Sequence, residues 1–172
     1  MANDNIIIKD AVIINRNFEG RPDKFNPAGK RSFTIRLDEE FARILEKDGW
    51  NVKIKEPEDP DDEAVGYLAV AVTFESKFPP KIVQITKKNG DIVKTNITEA
   101  TASLIDSSEI TDIKLEIRPY NWEFNGRTGV KAYLKTMYFE LVQDPFDMEY
   151  NQVDMFNDIS SSAPDDGLPF DV

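Results

Sequence analysis

Two long runs of alternating apolar and polar residues, 113 to 124 and 127 to 141, flank the pair Asn125-Gly126, and no other feature constrains this chain so tightly. Asn-Gly favours the two-residue type I′ turn, whose central residues both need positive φ; asparagine tolerates that region and glycine enters it freely. Such a turn pairs Phe124 with Arg127. Counting back along both strands sets Trp122 opposite Gly129, Tyr120 opposite Lys131, Arg118 opposite Tyr133 and Glu116 opposite Lys135. Because strand side chains alternate, these residues share one face, while Ile113, Leu115, Ile117, Val130, Ala132 and Leu134 collect on the other. One face of the hairpin is core, and the other is aromatic and basic.

The remaining pattern is also strand-rich. Ile6 to Ile14 is β-branched and runs on to Phe18, before Gly20, Pro22, Pro27 and Gly29 interrupt it. Arg31 to Leu37 alternates again. Asp38 then reads as a helix N-cap, with Glu39 and Glu40 in the first turn, Phe41, Ile44 and Leu45 on one face, and Gly49 as the stop. Trp50 to Lys55 returns to strand, an acidic loop follows, and Tyr67 to Phe74 is the next strand. Lys81 to Thr86 and Ile92 to Thr95 flank a second favoured turn, Asn89-Gly90, and a short helix is expected from Thr98 to Ile105. Many short strands, tight turns and one or two small helices predict a mainly β fold. The expected form is a small barrel of the oligonucleotide-binding type, or a curled antiparallel sheet.

Composition narrows the chemistry. The 172 residues contain no cysteine and no histidine, which removes disulfides, thiolate and imidazole metal sites, and histidine-dependent catalysis. Neither a metal nor a cofactor is expected. No run of about 18 apolar residues occurs and no basic-then-apolar leader opens the chain, so a soluble, unexported protein is expected.

The formal charge of -11 argues against a nucleic-acid partner only until its distribution is read. Residues 141 to 172 hold 8 Asp or Glu and no Lys or Arg, and Glu56, Glu58, Asp59, Asp61, Asp62 and Glu63 form a second acidic block. Outside both, 18 acids stand against 21 bases. The framework is mildly basic.

On the second face of the hairpin, Tyr120, Trp122, Phe124 and Tyr133 are candidate stacking platforms, and Arg118, Arg127, Lys131 and Lys135 stand between them as phosphate partners. Unpaired bases need that combination, since each exposes a π-face that a duplex hides in its stack. Single strands should therefore be preferred. The plainer alternative makes the aromatics cross-strand packing partners and the cations mere solubilising charges. Further candidates lie in the loop from Gly20 to Arg31, where Lys24, Phe25, Lys30 and Arg31 stand among glycines and prolines, with Arg16 and Arg21 close by. Gly29-Lys30 is no Walker phosphate loop, because Lys24 stands where that motif needs glycine and Arg31 where it needs Ser or Thr. The segment Lys77-Phe78-Pro79-Pro80-Lys81 reads mainly as a strand entry.

Beyond Gln143 the chain turns to Asp, Asn, Ser and Pro without periodicity, which predicts a disordered acidic tail over 144–172 following a domain over 1–143. Its last residues present Asp165 and Asp166, then Leu168, Pro169 and Phe170, an acidic and apolar hook suited to a pocket rimmed by Arg or Lys on another protein. The segment resembles the tip of bacterial single-stranded DNA-binding proteins, which recruits replication and repair enzymes. It departs from that pattern in that Asp171 and Val172 follow the phenylalanine.

The body carries Asn26-Pro27-Ala28-Gly29-Lys30-Arg31-Ser32-Phe33, Asp48-Gly49-Trp50-Asn51-Val52-Lys53, Pro79-Pro80-Lys81-Ile82, Arg118-Pro119-Tyr120-Asn121-Trp122 and Gly129-Val130-Lys131-Ala132-Tyr133. Through these segments most of residues 6 to 142 resembles a family of bacteriophage single-stranded DNA-binding proteins with an oligonucleotide-binding fold. The resemblance implies non-catalytic binding and protection of single-stranded DNA in phage replication, recombination or repair, within the bacterial cytoplasm. Two other classes compete. A magnesium nuclease would use carboxylates such as Asp106, Glu109 and Asp112, whose spacing matches no metal motif, and an acidic adaptor binding protein alone would leave the basic aromatic face unexplained.

Overall fold

The computed structural model describes residues 4–24, 26–88 and 90–142. Among the described residues, nine strands and two helices follow in the order β1 (Ile6–Ile8), β2 (Val12–Asn17), β3 (Arg31–Asp38), α1 (Glu39–Lys47), β4 (Val52–Lys55), β5 (Val65–Val72), β6 (Lys81–Lys88), β7 (Asp91–Ile97), α2 (Ser103–Ser107), β8 (Ile110–Phe124) and β9 (Arg127–Leu141). The fold is mainly β, as the sequence predicts, but the sheet is mixed rather than antiparallel throughout. Its path runs β1-β8-β9-β5-β3-β2, with β4 beside β5 and the β6–β7 hairpin joined to β9. Both β5 and β6 run parallel to β9, at its N-terminal and C-terminal halves respectively. A turn signal reports only antiparallel neighbours, which is why the sequence did not disclose these two pairings.

The predicted first strand is broken in two. Asp10 takes a φ of 53°, and the chain leaves β8 to join β3 after the bend. The Ala11 N–H donates to Ile113 O at 3.0 Å, so one bent segment links the two edge strands of the path without closing the ladder into a barrel. Asn15, also at positive φ, accompanies a register shift in β2 between Ile14 and Asn17.

Helix α1 starts as predicted. The Asp38 carboxylate accepts from Phe41 N at 2.8 Å, Glu39 and Glu40 occupy the positive end of the helix dipole, and Gly49, at φ 92°, follows the stop. Ala42 and Leu45 are its buried residues, whereas Ile44, expected inside, is exposed. The helix packs on β3, β4 and β5, closest at Gly66, where any Cβ would collide with the Ala42 methyl. Trp50 lies just ahead of β4 as an isolated bridge to Val130. The second helix is later and shorter than predicted, at 103–107 instead of 98–105.

The turn between β8 and β9 has the predicted form, with Asn125 at φ 52°, Gly126 at φ 76° and Phe124 facing Arg127. The register holds back to Ile117 opposite Leu134 and then shifts by one, so Glu116 faces Thr136 rather than Lys135. The bulge at Lys135 reverses the alternation of β9. Val130, Ala132 and Leu134 are buried before it, Met137 and Phe139 after it. All six predicted core residues of the hairpin are buried, in one cluster with Phe18, Phe33, Ile35, Leu68 and Val70, in which the rings of Phe18 and Phe33 stack 5.2 Å apart. Pro119, which has no N–H to donate, sits where only β9 flanks β8.

Candidate nucleic-acid interface

The outward face of the hairpin carries the predicted residues together. Phe124 is 71% and Tyr120 56% exposed, a surface too large and aromatic to be explained by core packing. Cross-strand packing is nevertheless real. Tyr120 meets Tyr133 edge to face, with centroids 5.9 Å apart. The Trp122 indole lies across Gly129 so closely that a Cβ there would stand 2.6 Å from its Cζ2. The ring can lie flat because Gly129 has no side chain. The Arg118 guanidinium stands 5.6 Å and the Lys131 ammonium 5.2 Å from the Tyr133 ring centre, so this ring sits between two cations.

The loop between β2 and β3 reaches the same surface. Its base is tied by Asn17, whose Oδ1 accepts from Gly20 N and Arg21 N, by Asn26, whose amide donates to the Arg21 and Lys30 carbonyls, and by the Gly29 N–H donating to Gly20 O at 2.8 Å. Gly20 is required at that crossing, because its φ is 79° and a Cβ would come within 3.0 Å of Gly29 Cα. Thus held, Lys30 and Arg31 line a groove of about 540 Å³ together with Lys131, Tyr133 and Phe74, whose ring centre is 5.4 Å from the Arg31 guanidinium. Two carboxylates, Glu75 and Glu99, also line it.

The predicted cations differ in how they are employed. Arg31 donates from Nε to Phe18 O at 2.9 Å and pairs with Glu99 at 3.0 Å, which fixes the groove wall and neutralises one of its acids. Lys135, displaced onto the bulge, still reaches Glu116 at 3.4 Å, and Asn5 with Lys135 holds the Glu116 carboxyl below its usual range. Arg16 is structural, donating to the Ile105 and Ser108 carbonyls at the end of α2. Arg127 lies at the exposed hairpin tip, and Lys24 is exposed on the loop. Phe25 and the hook residues Asp165, Asp166, Leu168, Pro169 and Phe170 lie outside the described residues, as does the predicted tail.

Sequence reasoning gave too little weight to Phe78. It is 66% exposed, and Arg118 stands 6.0 Å from its ring centre, so it extends the aromatic face beyond the hairpin. An aromatic residue between Lys77 and Lys81 was the available signal, but only the folded chain brings it to Arg118. The nuclease carboxylates do not converge. Asp106 accepts from Phe18 N at 2.7 Å and Glu19 N at 3.0 Å, and no group of three potential metal ligands forms among the described residues. Nor is any helix of the described residues long and apolar enough to cross a membrane.

A mainly β domain that turns an aromatic, cationic sheet face to solvent has the make-up of a non-catalytic nucleic-acid-binding module. Residues 1–168 match the model of the family described as "Putative phage ssDNA-binding domain", and the chain belongs to that family. A comparison with curated proteins finds no match. Among solved structures, the chain is similar to the single-stranded DNA-binding protein from bacteriophage Enc34, at 11% identity and a TM-score of 0.48 over 83% of each chain. The same protein in complex with ssDNA aligns at 10% identity and 0.47, over 83% of this chain and 89% of that one. The single-stranded DNA-binding protein gp2.5 encoded by bacteriophage T7 aligns at 11% identity and 0.37, over 98% and 99%.

Proposed function

We propose that the strand lies in the groove between the β2–β3 loop and the hairpin, its bases stacking on Tyr133, Tyr120, Trp122 and Phe124. Its phosphates meet Lys30, Lys131, Arg118 and Arg127, with Lys24, Arg31 and Lys135 as further cations and Phe25 as a further ring for a base. The observation that carries this reading is convergence: Lys30 of the loop and Arg31 at the start of β3, singled out independently of the hairpin, line one groove with Lys131 and Tyr133. The role is to cover and protect single strands during phage DNA replication, recombination or repair in the host cytoplasm.

Tryptophan fluorescence tests it directly, because Trp50 is buried at 4% exposure while Trp122 stands in the proposed interface. Titration of a Trp50→Phe variant with poly-dT, duplex DNA and RNA of equal length should give strong quenching with poly-dT and little with the duplex. Equal response to both DNAs would overturn single-strand preference. Each phosphate contact contributes about -0.7 to the slope of log K against log salt, so three or four contacts should give about -2 to -3. Changing Arg118 and Lys131 to Ala should flatten that slope.

For the C-terminal segment, the reading is a domain over 1–143 with a partner-recruiting tail over 144–172. Its acids would steer toward a basic pocket that Leu168, Pro169 and Phe170 fill. Phe170→Ala keeps every tail charge and should abolish pull-down of replication or recombination proteins while leaving DNA affinity within about twofold. Undiminished pull-down would eliminate the hook.

A further inference from the structure

The reversal of alternation at Lys135 has a consequence on the outer face as well as in the core. Beyond the bulge, Tyr138 instead of an odd-numbered residue turns outward, on the same side of the sheet as Tyr133. Because β6 runs parallel to β9, it brings Lys81 beside Thr136, and the Lys81 ammonium stands 5.5 Å from the Tyr138 ring centre. The β6–β7 pairing places Lys94 opposite Ile85, in the next row. Tyr138, Lys94 and Lys87 line a trough of about 320 Å³ together with Ile85 and Ile92, with Lys114 on its β8 side, and Lys81 adjoins it through the Tyr138 ring. Asp112 and Glu140 also line it. The Tyr138 hydroxyl sits below its ordinary pKa because Lys81 donates a hydrogen bond to it and the Lys81 and Lys94 charges lie near.

We infer that the trough around Tyr138, Lys81 and Lys94 is a second single-strand subsite, reached by DNA that leaves the first groove over Phe78. This rests on the reading that the first groove binds single strands. Phe78 is the connection. Arg118 lies near both its ring and that of Tyr133, and Phe78 is three residues before Lys81. Across the bulge, Tyr133 and Tyr138 face Arg118 and Lys114, four residues apart on β8 and so about 14 Å along the strand. Even at a duplex-like ~3.4 Å per phosphate, roughly four nucleotides bridge that distance, within the range known for small oligonucleotide-binding modules. The asymmetry of charge gives the path an end, since Lys81 and Lys94 lie near Tyr138, whereas farther along Lys87 is paired with Glu140 at 3.4 Å and Asp112 adds a negative charge.

The test is oligo-dT binding by fluorescence anisotropy, using the full chain and lengths from about 5 to about 16 nucleotides. Wild type should bind the short oligomers through the first groove and gain a further roughly 5- to 50-fold on lengthening, as the second platform is occupied. Lys81→Gln/Lys94→Gln and, separately, Tyr138→Leu should leave short-oligomer affinity unchanged and lose most of that gain. A Lys47→Gln/Lys53→Gln control, equal in lost charge, should retain it. Absence of a length gain in the wild type, or its full retention in both trough variants with normal circular dichroism, overturns the second subsite. Failure of the wild type to bind any oligomer would instead refute the first groove, so the two failures are distinguishable.

Discussion

The double variant Trp122→Ala/Tyr133→Ala is expected to lose about 2–6 kcal/mol of single-strand affinity, a loss of 30-fold or more, while its thermal unfolding stays cooperative. Each ring contributes about 1–3 kcal/mol when it stacks on a base. Neither is among the buried residues of the core, so their removal leaves Val130, Ala132 and Leu134 packed. Strict additivity is not expected, because Tyr133 also organises Arg118 and Lys131 through its ring. Gly129→Val supplies an independent arm. It removes no ring, but its Cβ would force the Trp122 indole out of place, and affinity should fall in the same direction by at least threefold. Wild-type affinity in a folded double variant would eliminate the hairpin face as the DNA site.

Gly66→Ala is expected to cost about 1–3 kcal/mol of stability without changing the DNA affinity of the folded fraction. The collision is with the methyl of Ala42, which has no rotamer to escape into, and with an α1 already seated on β3, β4 and β5. A loss of this size is a large part of the 5–15 kcal/mol typical of a domain. Urea denaturation should show a lower midpoint, and Ala42→Gly added to Gly66→Ala should recover part of the loss despite the ~1 kcal/mol helix penalty of glycine. An unchanged midpoint in Gly66→Ala would mean that α1 does not pack as described. Because the helix lies away from the groove residues, a change in DNA affinity at full folding would count equally against the separation of helix and groove.

The turn Asn125-Gly126, the register through Ile117 and the six buried residues of the hairpin were determined by sequence, because a two-residue turn and a period of two leave few alternatives nearby. The cap at Asp38 was legible for the same reason: its bonds reach only three residues along the chain. Family resemblance could likewise be recognised in short segments, and the family match over 1–168 accords with it.

Tertiary structure alone decided what depends on distant partners. The bulge at Lys135 leaves only a faint trace, the change from even to odd apolar positions at Met137 and Phe139, and it moved Glu116 from Lys135 to Thr136. Parallel pairing of β5 and β6 with β9 has no turn to announce it, since the connections are long and their closure is directed by burial of both strands against the common core. The meeting of Lys30 with Tyr133, of Phe78 with Arg118 and of Lys81 with Tyr138 depends on those pairings. Local sequence thus determined which residues had the chemistry of a nucleic-acid surface, whereas long-range strand order determined which of them share a groove, because side-chain chemistry is a property of each residue and proximity is a property of the closed chain.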